Sequence, residues 1–426
     1  MNVNIQEKIK YILLNKVQGL NWNYFNLLTE NISITAKAEP DYNWFDKIEI
    51  EEGKYVWKGS ACSDVEIVSH MYKVINKQPS MLQDVMLEIY RDGYIANESE
   101  ADQGIMGKLN QENCDARNDY FRYKMKQGFR AKKGNYIVLA EGDSWFLFPK
   151  VALRGVGRDF VKDIGDHLIE KENIAWYNIA FGGDWISNMI YESKFIEELD
   201  QVEPHVFLIS GGGNDFVGKR LMNFIRSETH ENRIIESQSL RKKLLELRQK
   251  QKKNVHSTFD PKRYELGLRY IDDRFIDFLN LIYIQYLSLF IRIYHNTSKF
   301  ENLLTLTQGY DYPIPSDKNT RLIEFGHRAL NKIIGNGDWL LNPLETKGIC
   351  DQKKREAIMY TLVYEFNETL LTFERSGKFK NVFHIDNRSV AKSKDDWFDE
   401  LHLESEVFKK VADKYYKKIK DFFEKG

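Results

Sequence analysis

Ser144 is the residue whose setting most invites chemistry. It follows a run of apolar, β-prone residues in Tyr136-Ile137-Val138-Leu139-Ala140-Glu141-Gly142-Asp143-Ser144-Trp145. That order predicts a buried strand delivering one hydroxyl to the end of a sheet. Gly142 is expected to permit a sharp turn, and Ser144 to sit where a following turn or helix leaves its own backbone N–H free. A serine so placed can attack a carbonyl while that N–H faces the developing oxyanion. Taken alone, the same residues read better as a helix cap. A nucleophilic serine also needs a base within hydrogen-bond reach and a group that orients the base. Of the nine histidines, His402 has an acid three residues earlier, Asp399, in a polar stretch near the C-terminus. That spacing lets a carboxylate hold the imidazole Nδ1–H while Nε2 faces the serine. A lone Asp-x-x-His pair is more often two exposed loop residues.

Elements able to position these groups recur along the chain. From Asn135 onward, strands are expected at 136–140, 174–179, 205–210, 302–307 and 381–386, with helices around 156–170, 185–199, 352–376 and 405–423. The second strand ends in Ala180-Phe181-Gly182-Gly183-Asp184 and the third in Gly211-Gly212-Gly213-Asn214-Asp215. Apolar strands alternating with helices predict an α/β fold, with a parallel sheet covered on both faces. In such sheets the loops at the carboxyl ends of the strands build the site. Residues 217–300 read as a helical insertion. Within it, 240–253 is basic without aromatic residues, a solvated helix face rather than a nucleic-acid stripe. The apolar stretch 275–294 carries Asp277, Asn280, Gln285, Ser288 and Arg292 on one side of a helical wheel. It reads as an amphipathic core helix, with membrane-surface contact, not spanning, as the minority reading.

Four blocks in order, each after an expected strand, resemble the SGNH hydrolases, the GDSL-type esterases and lipases. Gly142-Asp143-Ser144 matches the first block, with Trp145 where the family has leucine. Asn178 and Gly183 match the second, although Ala180 replaces its first glycine; Gly212-Gly213-Asn214-Asp215 matches the third, and Asp399 with His402 the last. The resemblance spans residues 135–426. It implies a three-layer α/β/α sandwich with a flavodoxin-like sheet, Ser144 as nucleophile, His402 as base and later acid, and Asp399 as the orienting acid. It also implies an oxyanion hole made by the backbone N–H groups of Ser144 and Gly183 and the side-chain amide of Asn214. Trp145 and Phe181 suggest an aromatic rim, and the insertion a lid.

Other polar residues have plainer readings. Asp143 and Asp215 are expected to anchor loops through backbone N–H groups, and Asp184 to cap a helix. Asp386 is second choice as the orienting acid, and His384, mid-strand, reads as a satisfied core histidine. Gly213-Asn214-Asp215-Phe216-Val217-Gly218-Lys219 fits a phosphate-binding pattern, but Arg220 stands where Ser or Thr should bind Mg²⁺ and Phe216 fills the loop.

Composition sets the outer limits. The 426 residues are long enough for two domains, and a net charge of -1 gives no drive towards nucleic acid. Cys62, Cys114 and Cys350 have no paired spacing, which points to a reducing compartment and no thiolate metal site. No signal-peptide core opens the chain, so a cytoplasmic location is expected. Residues 1–130 read as a separate, mixed or mainly helical domain, with a hairpin at 48–57 and helices at 5–29 and 65–90. The basic stretch 113–133 reads as a solvated approach to residues 131–426, the hydrolase domain. The function expected is cleavage of a carboxylic ester, of a lipid or an acylated sugar, without metal or organic cofactor. The competing reading is an interaction or effector subunit that recruits a protein partner through its N-terminal domain, its hydrolase site gated or vestigial.

Overall fold

The computed structural model describes Lys8, Tyr11 and residues 47–59, 105–148, 162–231, 233–250, 259–294, 298–316 and 339–425. Apart from Lys8 and Tyr11, the helices expected at 5–29 and 65–90, and the start of that at 156–170, lie outside the described residues. The chain divides into two compact units. The first comprises Met1–Asp119, Pro149–Phe160 and Leu322–Ile334, and the second Tyr120–Phe148, Val161–Arg321 and Gly335–Gly426.

In the first unit, β1 (Ile48–Glu51) and β2 (Lys54–Trp57) pair antiparallel. Glu52 and Gly53 both have positive φ, the turn whose twist matches a two-residue hairpin. Helix α1 (Ile105–Lys126) begins in this unit and ends in the second. The sequence hides α1 because its last turns bury little: Phe121, with Met125 beside it, joins Phe129, Ile137, Ala175 and Val202. Two apolar contacts on a polar helix leave no stripe to read.

The second unit is built on a five-stranded parallel sheet. Its strands are β3 (Tyr136–Gly142), β4 (Ile174–Asn178), β5 (Val206–Ser210), β6 (Leu304–Gln308) and β7 (Val382–Ile385), in the order β4-β3-β5-β6-β7. All seven residues of β3 are buried, as a central strand covered on both faces requires. Between β3 and β4 lies α2 (Ile164–Ile169), and between β4 and β5 lie α3 (Ile186–Glu192) and α4 (Lys194–Val202). The insertion supplies α5 (Leu221–Phe224), α6 (Arg233–Lys250), α7 (Pro261–Leu268) and α8 (Arg274–Tyr294). Helices α9 (Leu341–Thr346) and α10 (Gln352–Ser376) precede β7, and α11 (Ser405–Lys425) follows it.

The helices form two layers. On one face α2 and α11 pack together over β4 and β6; on the other, α3 and α4 lie against β3, α8 against α3 and α10, and α10 against β6 and β7. Side-chain alternation along β3 agrees: Tyr136 stacks on Phe423 of α11, while Ile137 meets Val202 of α4. This is the doubly wound order in which the winding reverses between β3 and β5, and ligand crevices open at that reversal.

The one helix expected at 185–199 is two. Ser193 takes a left-handed conformation between α3 and α4, with its N–H on Met189 O and its hydroxyl donating to Ile190 O. Arg292 of α8 also donates to Ile190 O at 3.0 Å, so the last carbonyls of α3 find donors and the break is satisfied. Helix α8 is, among the described residues, long and apolar enough to cross a membrane by length and composition. It buries Phe275, Leu279, Ile282, Tyr286, Leu289 and Ile293, and exposes Leu281, Ile284 and Ile291.

Candidate active site

The turn that presents Ser144 begins with a close approach. A Cβ on Gly142 would lie 2.7 Å from the Ser210 carbonyl oxygen on neighbouring β5. The expectation that Gly142 serves a sharp turn is therefore corrected: its φ is not in the left-handed region, and the glycine is needed because two strands touch there. Beyond it, Phe146 N–H and Leu147 N–H both donate to Asp143 O at 3.0 Å, closing one tight turn that presents Ser144. Ser144 is buried beside the crevice, 5% exposed.

The loop after β7 brings the histidine to it. His402 Nε2 lies 2.7 Å from Ser144 Oγ, and its Nδ1 lies 2.8 and 2.9 Å from the two Asp399 oxygens. Asp399 Oδ1 also accepts the N–H groups of Leu401 at 2.7 Å and His402 at 2.8 Å. Burial pushes the Asp399 carboxyl up, but the His402 charge and these hydrogen bonds outweigh it and hold the group below the usual carboxylate range. Edge-on contact with Phe148 at 4.8 Å fixes the imidazole plane. Trp145, buried in the wall of the pocket beside Ser144, donates its indole N–H to Leu401 O at 3.1 Å and so ties the two loops together.

Two further loops supply donors. Asn214, just past β5, donates one amide hydrogen to Asp184 O at 2.9 Å, leaving its second for a ligand. Gly183 has φ 90°, a conformation open to glycine, in the loop after β4. Phe181 N–H donates to Gly142 O at 2.8 Å, which pins that loop against the end of β3. Among the described residues, neither the Ser144 nor the Gly183 N–H has a hydrogen-bond acceptor. Asn178, fully buried, takes no direct part: it accepts from Trp176 Nε1 and donates to Ala180 O, shaping the start of the Gly183 loop.

The remaining acids divide as their positions dictate. Asp143 accepts from Trp145 N–H, Ser210 Oγ and the Tyr310 hydroxyl, and burial nevertheless pushes its carboxyl up. Asp215 accepts the Ile186 N–H at the start of α3, and Asp184 those of Trp185 and the Asn188 amide; burial raises both to about 6. Asp386 pairs with Arg388, not with a histidine. His384 is buried against Thr307 and Asn367, and burial pushes it down to about 3. Phe216 is buried within the Gly213–Lys219 segment, which folds as two short 3₁₀ turns.

Three positioning residues escape a reading of sequence alone. The Tyr310 hydroxyl, on the loop after β6, donates to Asp143 Oδ2 and accepts from Gly213 N–H at 3.1 Å, bracing the Ser144 and Asn214 loops at once. Glu400, between Asp399 and His402, accepts the N–H groups of Ser316, Trp339, Leu340 and Leu341 at 2.9–3.2 Å. Arg220 donates to Asn214 O at 2.8 Å while its guanidinium lies 3.3 Å from the Trp185 ring centre. No local motif marks any of them: Tyr310 and Glu400 act across loops far apart in sequence, and Arg220 joins its neighbour Asn214 to Trp185 of an earlier loop.

No protein-family model and no curated protein matches this chain. Among solved structures, it is similar to a protein described as a GDSL-like lipase from Parabacteroides merdae, with 11% identity, coverage of 66% of this chain and 94% of that one, and a TM-score of 0.32. A family 3 carbohydrate esterase from Clostridium thermocellum gives 12%, 66%, 94% and 0.31. Est24, a carbohydrate acetylesterase from Sinorhizobium meliloti, gives 9%, 67%, 98% and 0.31. At that level of likeness, the chemistry has to be read from the geometry above.

Proposed function

We propose that this chain is a serine hydrolase that cleaves carboxylic esters. One observation carries the reading: His402 bridges Ser144 Oγ and the Asp399 carboxylate in an unbroken hydrogen-bonded line. Ser144 Oγ attacks the ester carbonyl carbon as its proton passes to His402 Nε2, and Asp399 stabilises the imidazolium that forms. The carbonyl oxygen, now anionic, takes hydrogen bonds from Ser144 N–H, Gly183 N–H and the second Asn214 amide hydrogen. Collapse expels the alcohol, which takes the proton from His402, and leaves Ser144 acylated. Water then repeats the sequence, giving its proton to His402 while its oxygen bonds to the acyl carbon; collapse releases the acid and restores Ser144. No step requires a cofactor. The test is hydrolysis of p-nitrophenyl acetate by the full chain and by Ser144→Ala. Turnover by the native chain that falls in the variant by roughly 10⁵-fold or more is expected; equal rates would overturn the proposal.

A further inference from the structure

We infer that the apolar pocket opening beside Ser144 is the acyl site, and that it takes a short aliphatic acyl group against Met359 and Val363 of α10. The inference rests on the serine-hydrolase reading and names its substrate class. Ser144, Gly213 and Asn214 all line the pocket, so an acyl group held there has its carbonyl within reach of both the nucleophile and the amide donor. Much of the remaining wall is apolar: Phe216, Val217, Met359, Val363, Trp397 and Leu401. Met359 and Val363 stand one turn apart on α10 and are almost wholly buried, so they face the pocket from a rigid element.

The acids at the wall are committed elsewhere. Asp143 is held by Tyr310, Ser210 and Trp145, and Asp311 accepts the N–H groups of Tyr312 at 2.7 Å, Ser389 at 2.5 Å and Ala391 at 2.6 Å. The Trp145 indole N–H is taken by Leu401 O. A hydroxyl-rich alcohol would thus lose its water here with few partners to replace it, whereas an alkyl chain would gain by burial. The hydroxylated or otherwise polar part of a substrate belongs on the alcohol side, outside this pocket. The space in it open to the centre of a water-sized sphere is about 40 Å³. At roughly 10–15 Å³ per water that is room for only a few atoms beyond the carbonyl, which selects a short chain.

The experiment compares kcat/KM for p-nitrophenyl acetate, butyrate, hexanoate and octanoate in the full chain, Val363→Phe and Met359→Ala. Ratios between esters are taken within each variant, so any loss of active protein cancels. The native chain is expected to favour acetate or butyrate over octanoate by roughly tenfold or more. Val363→Phe should lower the butyrate-to-acetate ratio by roughly tenfold, and Met359→Ala should raise the octanoate-to-acetate ratio. A native preference for octanoate, or ratios unchanged in both variants, would overturn the acyl-site assignment while leaving the serine-hydrolase reading intact. Failure of the folded native chain to hydrolyse any ester and to react with a fluorophosphonate would overturn both.

Discussion

Asp386 and Asp399 both follow β7, and each has a basic partner two or three residues further on. Their surroundings make them opposite in kind. Asp386 meets Arg388, whose guanidinium also reaches Glu368, which in turn binds Arg375. Every charge in that cluster is answered by another, and the Arg388 side chain is fully buried. Asp399 meets His402, a partner whose second nitrogen is turned to Ser144. The first arrangement is closed and can only hold the fold together. The second is open at one end and can pass a proton. What separates structure from chemistry here is whether the partner has an atom left to face a substrate.

Exchanging each acid for its amide breaks the comparison most sharply. Asp399→Asn is expected to lower kcat for ester hydrolysis by roughly 10³–10⁴-fold, because an amide no longer fixes the tautomer of His402 or stabilises its charge. Asn214→Ala should cost roughly 10²–10³-fold in kcat, with KM changing little, since the amide acts on the transition-state oxygen. Tyr310→Phe removes both hydrogen bonds that brace the Ser144 and Asn214 loops. A roughly tenfold fall in kcat with KM preserved is expected, and a change in KM alone would assign Tyr310 to binding instead.

Asp386→Asn should sit at the other extreme. Activity per folded molecule is expected to change less than about threefold, while urea unfolding shows a loss of roughly 3 kcal/mol from the broken buried pair. The pH dependence follows from the same contact. Burial raises the Asp386 pKa, but hydrogen bonds and charge from Arg388 outweigh it and bring the group down from 3.8 to about 2. A carboxyl whose pKa is depressed in the folded state contributes stability that is present above pH 4 and lost as pH falls from about 4 to about 2. That decline, about 2 kcal/mol, should be visible in the native chain and much reduced in Asp386→Asn.

The parts of this account that were legible in the sequence share one property: they are local. The strands of the sheet announce themselves as short apolar runs, and Ser144, Gly183, Asn214 and the Asp399–His402 pair each sit in a polar loop at or beyond a strand end. Long-range contacts left no such mark. Tyr310 is an ordinary loop tyrosine until the fold places its hydroxyl between Asp143 and Gly213. Glu400 looks like one more acid in a polar segment, yet it gathers four backbone N–H groups from residues at least 59 positions away. Gly142 was legible as a residue and misread in its reason, because the approach of Ser210 is set by strand pairing rather than by the turn. The break at Ser193 was equally hidden, since Arg292, a donor that stabilises it, lies on α8.

The most direct test of the central claim is covalent labelling with a fluorophosphonate, read by intact mass and peptide mapping on the full chain, Ser144→Ala and His402→Ala. An activated serine predicts one adduct on Ser144, none in Ser144→Ala, and labelling slowed by orders of magnitude in His402→Ala. Equal labelling of Ser144→Ala, or no labelling of a folded native chain, would contradict the account.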